Sequence, residues 1–151
     1  MENKVNRFER KWVYRANEHL TLVNALIKSN LFFYKQYPDR RVNSIYFDDI
    51  NCSSIIENLD GVSQKKKIRI RWYGEKSKLI NPMLEIKSKK GFETNKKTYQ
   101  INELNDLTFK NFKNLELIKN IVNSKNKTKN IIYPILTTHY DRQFFVSNNG
   151  C

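Results

Sequence analysis

The sequence predicts an α+β protein whose strands curl into a barrel or tunnel with helices on the outside. Three observations carry that prediction. Several segments alternate apolar and polar residues with a period of two, as half-buried strands do. Two longer segments space their apolar residues by three and four, as amphipathic helices do. The polar faces of the strands are charged rather than merely hydrophilic, and charge on many strands has to be accommodated somewhere. With 151 residues, 39% hydrophobic content, nine Phe, eight Tyr and two Trp, the chain has the material for a core. It reads as one domain, residues 1–151.

The pattern is clearest in Gln64–Tyr73, QKKKIRIRWY. Lys65, Lys67, Arg69, Arg71 and Tyr73 share one face of this strand, and Ile68, Ile70 and Trp72 the other. One face packs on a core while the other points several fixed cations at one place. The same run also reads as a solvated sheet surface or a nucleic-acid patch. The formal net charge of +13 makes an anionic partner the expectation: phosphates, nucleic acid or an acidic surface. Cys52 and Cys151 match neither a disulfide framework nor a zinc pattern, so a reduced, cytoplasmic setting is expected. No apolar run approaches the roughly 18 residues of a membrane span, and the N-terminus lacks a signal-peptide core.

In chain order, residues 7–15, RFERKWVYR, are predicted as the first strand. Glu9, Lys11 and Val13 fall on one face, and Phe8, Trp12 and Tyr14 on the other. A helix is predicted over residues 18–29, with Asn17 as its N-cap and Leu20, Leu22, Val23, Leu26 and Ile27 as a core stripe. His19, near its start, reads as a surface or capping residue. An aromatic strand over 31–37 ends at the turn Pro38-Asp39. A third strand covers 42–48 and enters the core through Ile45 and Phe47. A short helix at Ser53–Leu59 and a turn at Asp60-Gly61 precede the basic strand. Residues 83–89, MLEIKSK, form another two-faced strand: Leu84 and Ile86 face the core, with Glu85, Lys87 and Lys89 opposite. Lys90-Gly91 breaks the pattern, and 96–101 is a return strand carrying Lys96 and Lys97. Residues 106–123 read as an amphipathic helix or helix pair outside the sheet, and 123–130 as an exposed loop. The last strand covers 131–146, broken near Pro134, and contains His139, Tyr140, Asp141 and Arg142.

Charged faces on so many strands are costly to place if helices cover the outside, but they can share an enclosed, wet interior. Cationic walls in such a space repel one another unless a polyanion is bound. Arg makes forked contacts to phosphate oxygens, and Lys supplies point charge. A carboxylate among them, such as Glu9 or Glu85, either orients a lysine or holds a divalent metal. Mg²⁺ and Mn²⁺ favour oxygen ligands and often bind through one or two carboxylates plus substrate phosphates.

FERKW, VNSIYFDD, IRIRWYG, LEIKSKKG and YDR, in this order, resemble a VTC domain, the polyphosphate-polymerase branch of the triphosphate tunnel (CYTH-like) enzymes. The resemblance covers almost the whole chain. It implies a tunnel of antiparallel strands that binds triphosphate along its axis. It also implies transfer of the terminal phosphate of ATP to a polyphosphate chain, assisted by Mn²⁺ or Mg²⁺. Lys11 would then be a phosphate ligand, with Glu9 orienting it or facing metal. Arg69 and Arg71 would grip the triphosphate. Lys87, one of Lys96 or Lys97, and Arg142 would complete the cationic wall, and Tyr140 would either hydrogen-bond phosphate or pack at the tunnel end.

Two departures accompany the resemblance. Arg7 stands where the wider superfamily opens with an acidic residue. In addition, the family pattern continues past YDR into a further strand and a later acidic metal position. The expectation is therefore a truncated or split VTC domain, the N-terminal portion of a longer tunnel, which binds polyphosphate weakly and catalyses little or nothing unless a further segment or a second chain completes it. Three function classes follow: a polyphosphate polymerase, a triphosphate hydrolase on the same scaffold, and a non-catalytic binder of polyphosphate or, less favoured, nucleic acid. No Ser-His-Asp or Cys-His set stands out, and polymerisation needs none, because a polyphosphate oxygen is itself the attacking group.

Overall fold

The structure, a computed structural model, describes residues 10–108, 112–126 and 131–148. In chain order these form α1 (His19–Lys28), β1 (Tyr34–Asp48), α2 (Ser53–Leu59), β2 (Gln64–Tyr73), β3 (Met83–Lys90), β4 (Glu93–Gln100), α3 (Phe112–Asn126) and β5 (Tyr133–Val146). Short 3-10 turns stand at Ala16–Glu18 and Asn102–Leu104. Two units are distinguished: a larger one, Asp39–Gln143, and a smaller one made of the described residues before and after it.

The strands make one sheet in the order β4-β3-β2-β1-β5. β1 with β2, β2 with β3, and β3 with β4 are antiparallel. So is β5 with β1, because the contacts Asp39–Gln143, Arg41–Asp141 and Asn43–His139 step in opposite directions along the two strands. Among the described residues the sheet is open, with β4 and β5 at its two ends. The α+β class is as predicted, and the described strands form an open antiparallel sheet rather than a barrel.

Period-two alternation sorts β2 and β3 as their sequences require. Ile68, Ile70 and Trp72 are buried on one face, aligned with Ile86 and Leu84 of β3 and with Phe47, Ile45 and Asn43 of β1. α3 supplies Ile118 and Val122 to the same core, which Leu79, Ile101 and Leu104 extend from the connecting segments. Asn123 ties α3 to the start of β5, accepting from the Ile132 amide at 2.9 Å and donating to its carbonyl at 3.0 Å. The Trp72 indole donates to the Glu75 carbonyl at 2.9 Å, so the largest core side chain buries no unpaired donor. β3 and β4 are joined through Gly91 and Phe92, and Gly91 has φ +58°, the sign that tight hairpin turns demand.

α2 has the predicted bounds, but its capping comes from upstream. Cys52 precedes it in a left-handed conformation, φ +54°. The buried Asp48 carboxylate accepts from the Ser54 and Ile55 amides at 3.0 and 3.1 Å, and Asp49 accepts from the Ser53 amide at 3.1 Å. Two consecutive aspartates at the end of β1 thus satisfy the donors that open the helix.

Residues 10–15 carry no regular structure, and Trp12, Val13 and Tyr14 are exposed. Alternation makes a strand only where a neighbour supplies the ladder, and among the described residues no pairing of the sheet reaches this stretch; residues 7–9 of the predicted strand lie outside them. Asn17 lies inside the 3-10 turn rather than capping α1; at that turn the Arg15 amide donates to Glu18 Oε2 at 2.9 Å. The apolar stripe of α1 contains no buried residue, so it is not core. Periodicity identifies which residues share a helix face and is silent on what covers them.

β1 runs unbroken through Pro38-Asp39, where a turn is predicted. Its pairing with β2 begins only at Val42, so the missing amide of Pro38 costs no bond on that side. β5 likewise runs through Pro134, its second residue, a position where proline is tolerated. β4 begins at Glu93, three residues before the predicted start. α3 is one helix that starts at Phe112 and continues to Asn126, into part of the predicted loop.

Trp72→Ala should lower unfolding free energy by about 3–5 kcal/mol through the cavity it leaves. Val13→Ala, at a fully exposed position, should change it by less than about 0.5 kcal/mol. Urea unfolding of the two variants beside the wild type checks both, and comparable losses would remove Trp72 from the core.

Candidate functional site: a cationic sheet face

The face of the sheet opposite the core is built in rows that run across the strands. One row aligns Ser44, Arg71, Met83 and Gln100; the next aligns Tyr46, Arg69, Glu85 and Thr98. The third aligns Lys67, Lys87 and Lys96, and the fourth Lys65, Lys89 and Thr94. Side chains directly opposite on antiparallel strands have Cβ atoms about 4.5–5.5 Å apart, and like charges so placed destabilise the sheet. Three lysines in register therefore form a line of positive charge that an anion lying across the strands would relieve.

Glu85 stands at the centre of this face. Its Oε1 accepts from Lys96 Nζ at 2.7 Å, and its Oε2 accepts from Arg69 Nε at 2.7 Å. Arg69 Nη2 lies 2.6 Å from Oε2 and Arg71 Nη1 3.8 Å from it. Burial alone would push the Glu85 carboxyl up, but the hydrogen bonds from Lys96 and Arg69 and the charges of Arg69 and Arg71 outweigh it. The net shift is downward from the ordinary carboxylate value. Lys96 and Arg69 come from the strands on either side of Glu85, so one carboxylate fixes cations across three strands.

Tyr46 and Ser44 join this face without any charge to mark them in the sequence. Arg69 Nη1 donates to the Tyr46 hydroxyl at 3.0 Å, and the Arg69 guanidinium carbon lies 5.8 Å from the Tyr46 ring centre. Ser44 is fully buried opposite Arg71; its Oγ and Arg71 Nε are both buried without a hydrogen-bond partner. The signal that finds them is the pairing register: both alternate with Ile45 and so share the face of the arginines.

The other predicted site residues divide as follows. Lys96 lies on this face, whereas Lys97, one residue on, aligns with Ile86 on the core face. Tyr140 and Arg142 alternate with His139 and Asp141, which reach Asn43 and Arg41 on the core side, so they occupy the cationic face on β5. Lys11 is exposed in the smaller unit, while the face just described belongs to the larger unit. Glu9 lies outside the described residues.

No group of three or more His, Cys, Asp or Glu side chains gathers among the described residues, and both Glu85 oxygens are held by cations. The core side of the sheet differs in kind. It opens a cavity of about 920 Å³ lined by apolar side chains such as Ile45, Trp72 and Leu136 and, in equal measure, by polar ones such as Arg41, Glu75 and Lys76. There His139 Nδ1 lies 2.9 Å from Asn43 Oδ1, away from the lysine row.

An antiparallel sheet with one core face and one Arg/Lys face is therefore the class of structure in hand. The chain belongs to the VTC domain family, whose family model, described as VTC domain, matches residues 6–150. No curated protein matches it. Membership agrees with the resemblance carried by FERKW, VNSIYFDD, IRIRWYG, LEIKSKKG and YDR. No helix among the described residues is long and apolar enough to cross a membrane.

Glu85→Gln should destabilise the protein at neutral pH by about 1–3 kcal/mol, because it leaves charged donors unsatisfied. Since the folded-state carboxyl titrates below its usual range, its contribution is present above that range and is lost as pH falls through the lowered value. The stability difference between wild type and variant should therefore be constant near neutrality and shrink in acid. Denaturation at a series of pH values tests this, and a difference independent of pH would contradict the ion cluster.

Proposed function

We propose that the cationic face binds the phosphates of ATP and polyphosphate, and that this VTC domain acts as a polyphosphate polymerase. In this reading the terminal phosphate of ATP is transferred to the polyphosphate end and ADP is released. The observation that carries the reading is the lysine row Lys67–Lys87–Lys96 lying directly beside an arginine pair held by one carboxylate. Such a face is unfavourable when empty, and phosphate oxygens relieve it.

Phosphoryl transfer asks a protein for positioning and charge neutralisation rather than a covalent nucleophile. Arg69, fixed by Glu85 and Tyr46, and Arg71, whose Nε lacks a partner, are suited to hold a triphosphate group in one orientation. Lys67, Lys87 and Lys96, with Lys65 and Lys89 beyond them, provide a track for the polymer. Arg142 and Tyr140 extend the same face on β5. The attacking group is a terminal polyphosphate oxygen, so no side chain has to act as a strong base. His139, engaged with Asn43 on the other face, fits that absence of a role. Mn²⁺ or Mg²⁺ would enter on the phosphates rather than on a protein cage, in keeping with the way Mg²⁺ commonly binds. The tunnel of the wider enzyme class belongs to this proposal, with the open sheet as part of its wall.

Arg69→Ala and Arg71→Ala should each weaken tripolyphosphate binding by about tenfold or more, about 1.4 kcal/mol. Lys66→Ala should leave binding near the wild-type level, because Lys66 points to the core side and donates to Asn126 at 2.7 Å. Calorimetric titration of the three variants decides between a directed face and diffuse charge, and equal losses at all three positions would sink the assignment. Incubation with ATP and Mn²⁺ then tests the chemistry. Polyphosphate with ADP supports the polymerase, whereas free phosphate with ADP would place the hydrolase reading ahead.

A further inference from the structure

We infer that Tyr46 is a positioning residue for phosphate binding, acting through Arg69 rather than on the anion itself; the inference rests on the reading of this face as a phosphate site. A guanidinium has five N–H donors in a rigid fork. Nε donates to Glu85 Oε2, Nη2 lies against the same oxygen, and Nη1 donates to the Tyr46 hydroxyl. These contacts take the Nε edge and one side of the group. They leave one N–H on each Nη with which Arg69 can donate to phosphate oxygens.

The three contacts hold the guanidinium from both neighbouring strands, Tyr46 on β1 and Glu85 on β3, with Arg69 aligned between them in a single row. Glu85 alone would leave the group able to swing about its contact with one carboxylate oxygen. The second anchor, on the opposite strand, removes that freedom before any ligand arrives. Pre-ordering of this kind raises affinity by lowering the ordering cost at binding. The half-buried Tyr46 ring also lies near the guanidinium carbon, so the phenol supplies both a cation–π surface and a hydrogen-bond acceptor. Only the second is removed by Tyr46→Phe.

A double-mutant cycle separates positioning from contact. The probe is inorganic tripolyphosphate, titrated calorimetrically into wild type, Tyr46→Phe, Arg69→Ala and the double variant. Tyr46→Phe should weaken binding about fivefold, and in the Arg69→Ala background the same change should have no further effect. Unfolding curves of all four proteins verify that each is folded. Wild-type affinity in Tyr46→Phe would overturn the inference, since the ring alone would then suffice. Losses that multiply in the double variant would also overturn it, because Tyr46 would then contact phosphate independently of Arg69. Both of these outcomes leave the phosphate site standing. Failure of the wild type to bind tripolyphosphate would instead remove the site, and Tyr46's role with it.

Discussion

The carboxylate of Glu85 is the constraint on which the cationic face depends. Arg69, Arg71 and Lys96 come within 4 Å of it from two flanking strands, and Glu85 itself is nearly buried. Partly buried cations without a counter-ion are expensive, and one carboxylate shared among three limits that cost while leaving the face strongly positive. The outcome is an arrangement stable enough to fold and still short of negative charge. A face neutralised pair by pair would fold as well and would have nothing left to offer an anion.

The core side supplies the rigidity this arrangement needs. Trp72, Ile70 and Ile68 are buried on β2 between Leu84 and Ile86 of β3 and Ile45 and Phe47 of β1, and α3 closes over them. Backbone positions under Arg69 and Arg71 are therefore set by packing on the far side of the same strand. Sites carried on strands hold their geometry better than sites on loops, and here the residues facing the two ways are immediate neighbours in sequence.

Much of this was legible from alternation alone. The bounds of β2 and α2, the two faces of β3 and the core role of Ile45 and Phe47 followed from spacing and residue type. The site was legible as a set of charges but not as an arrangement. Lys96 and Lys97 are indistinguishable until the register of β4 places one opposite Lys87 and the other opposite Ile86. Tyr46 and Ser44 read as ordinary strand residues until pairing sets them beside Arg69 and Arg71. The misreadings share a cause. Among the described residues, the stretch 10–15 has strand-like alternation without a ladder, and α1 has a core-like stripe that is not buried; both qualities depend on a partner that local sequence does not encode. Pro38 and Pro134 suggest breaks, although proline interrupts a strand only where a neighbour requires its amide.

The antiparallel register between β2 and its neighbours has a consequence for how this sequence is able to vary. A slip of one residue would turn Lys67, Arg69 and Arg71 into the core and expose Ile68, Ile70 and Trp72. The charges that shape the face thus also forbid the nearest competing fold, and the apolar residues that make the fold also aim the charges. Neither set is able to drift by itself. Neutralising the cations would remove the positive charge of the face and loosen the register together, so a change in one property is a change in the other.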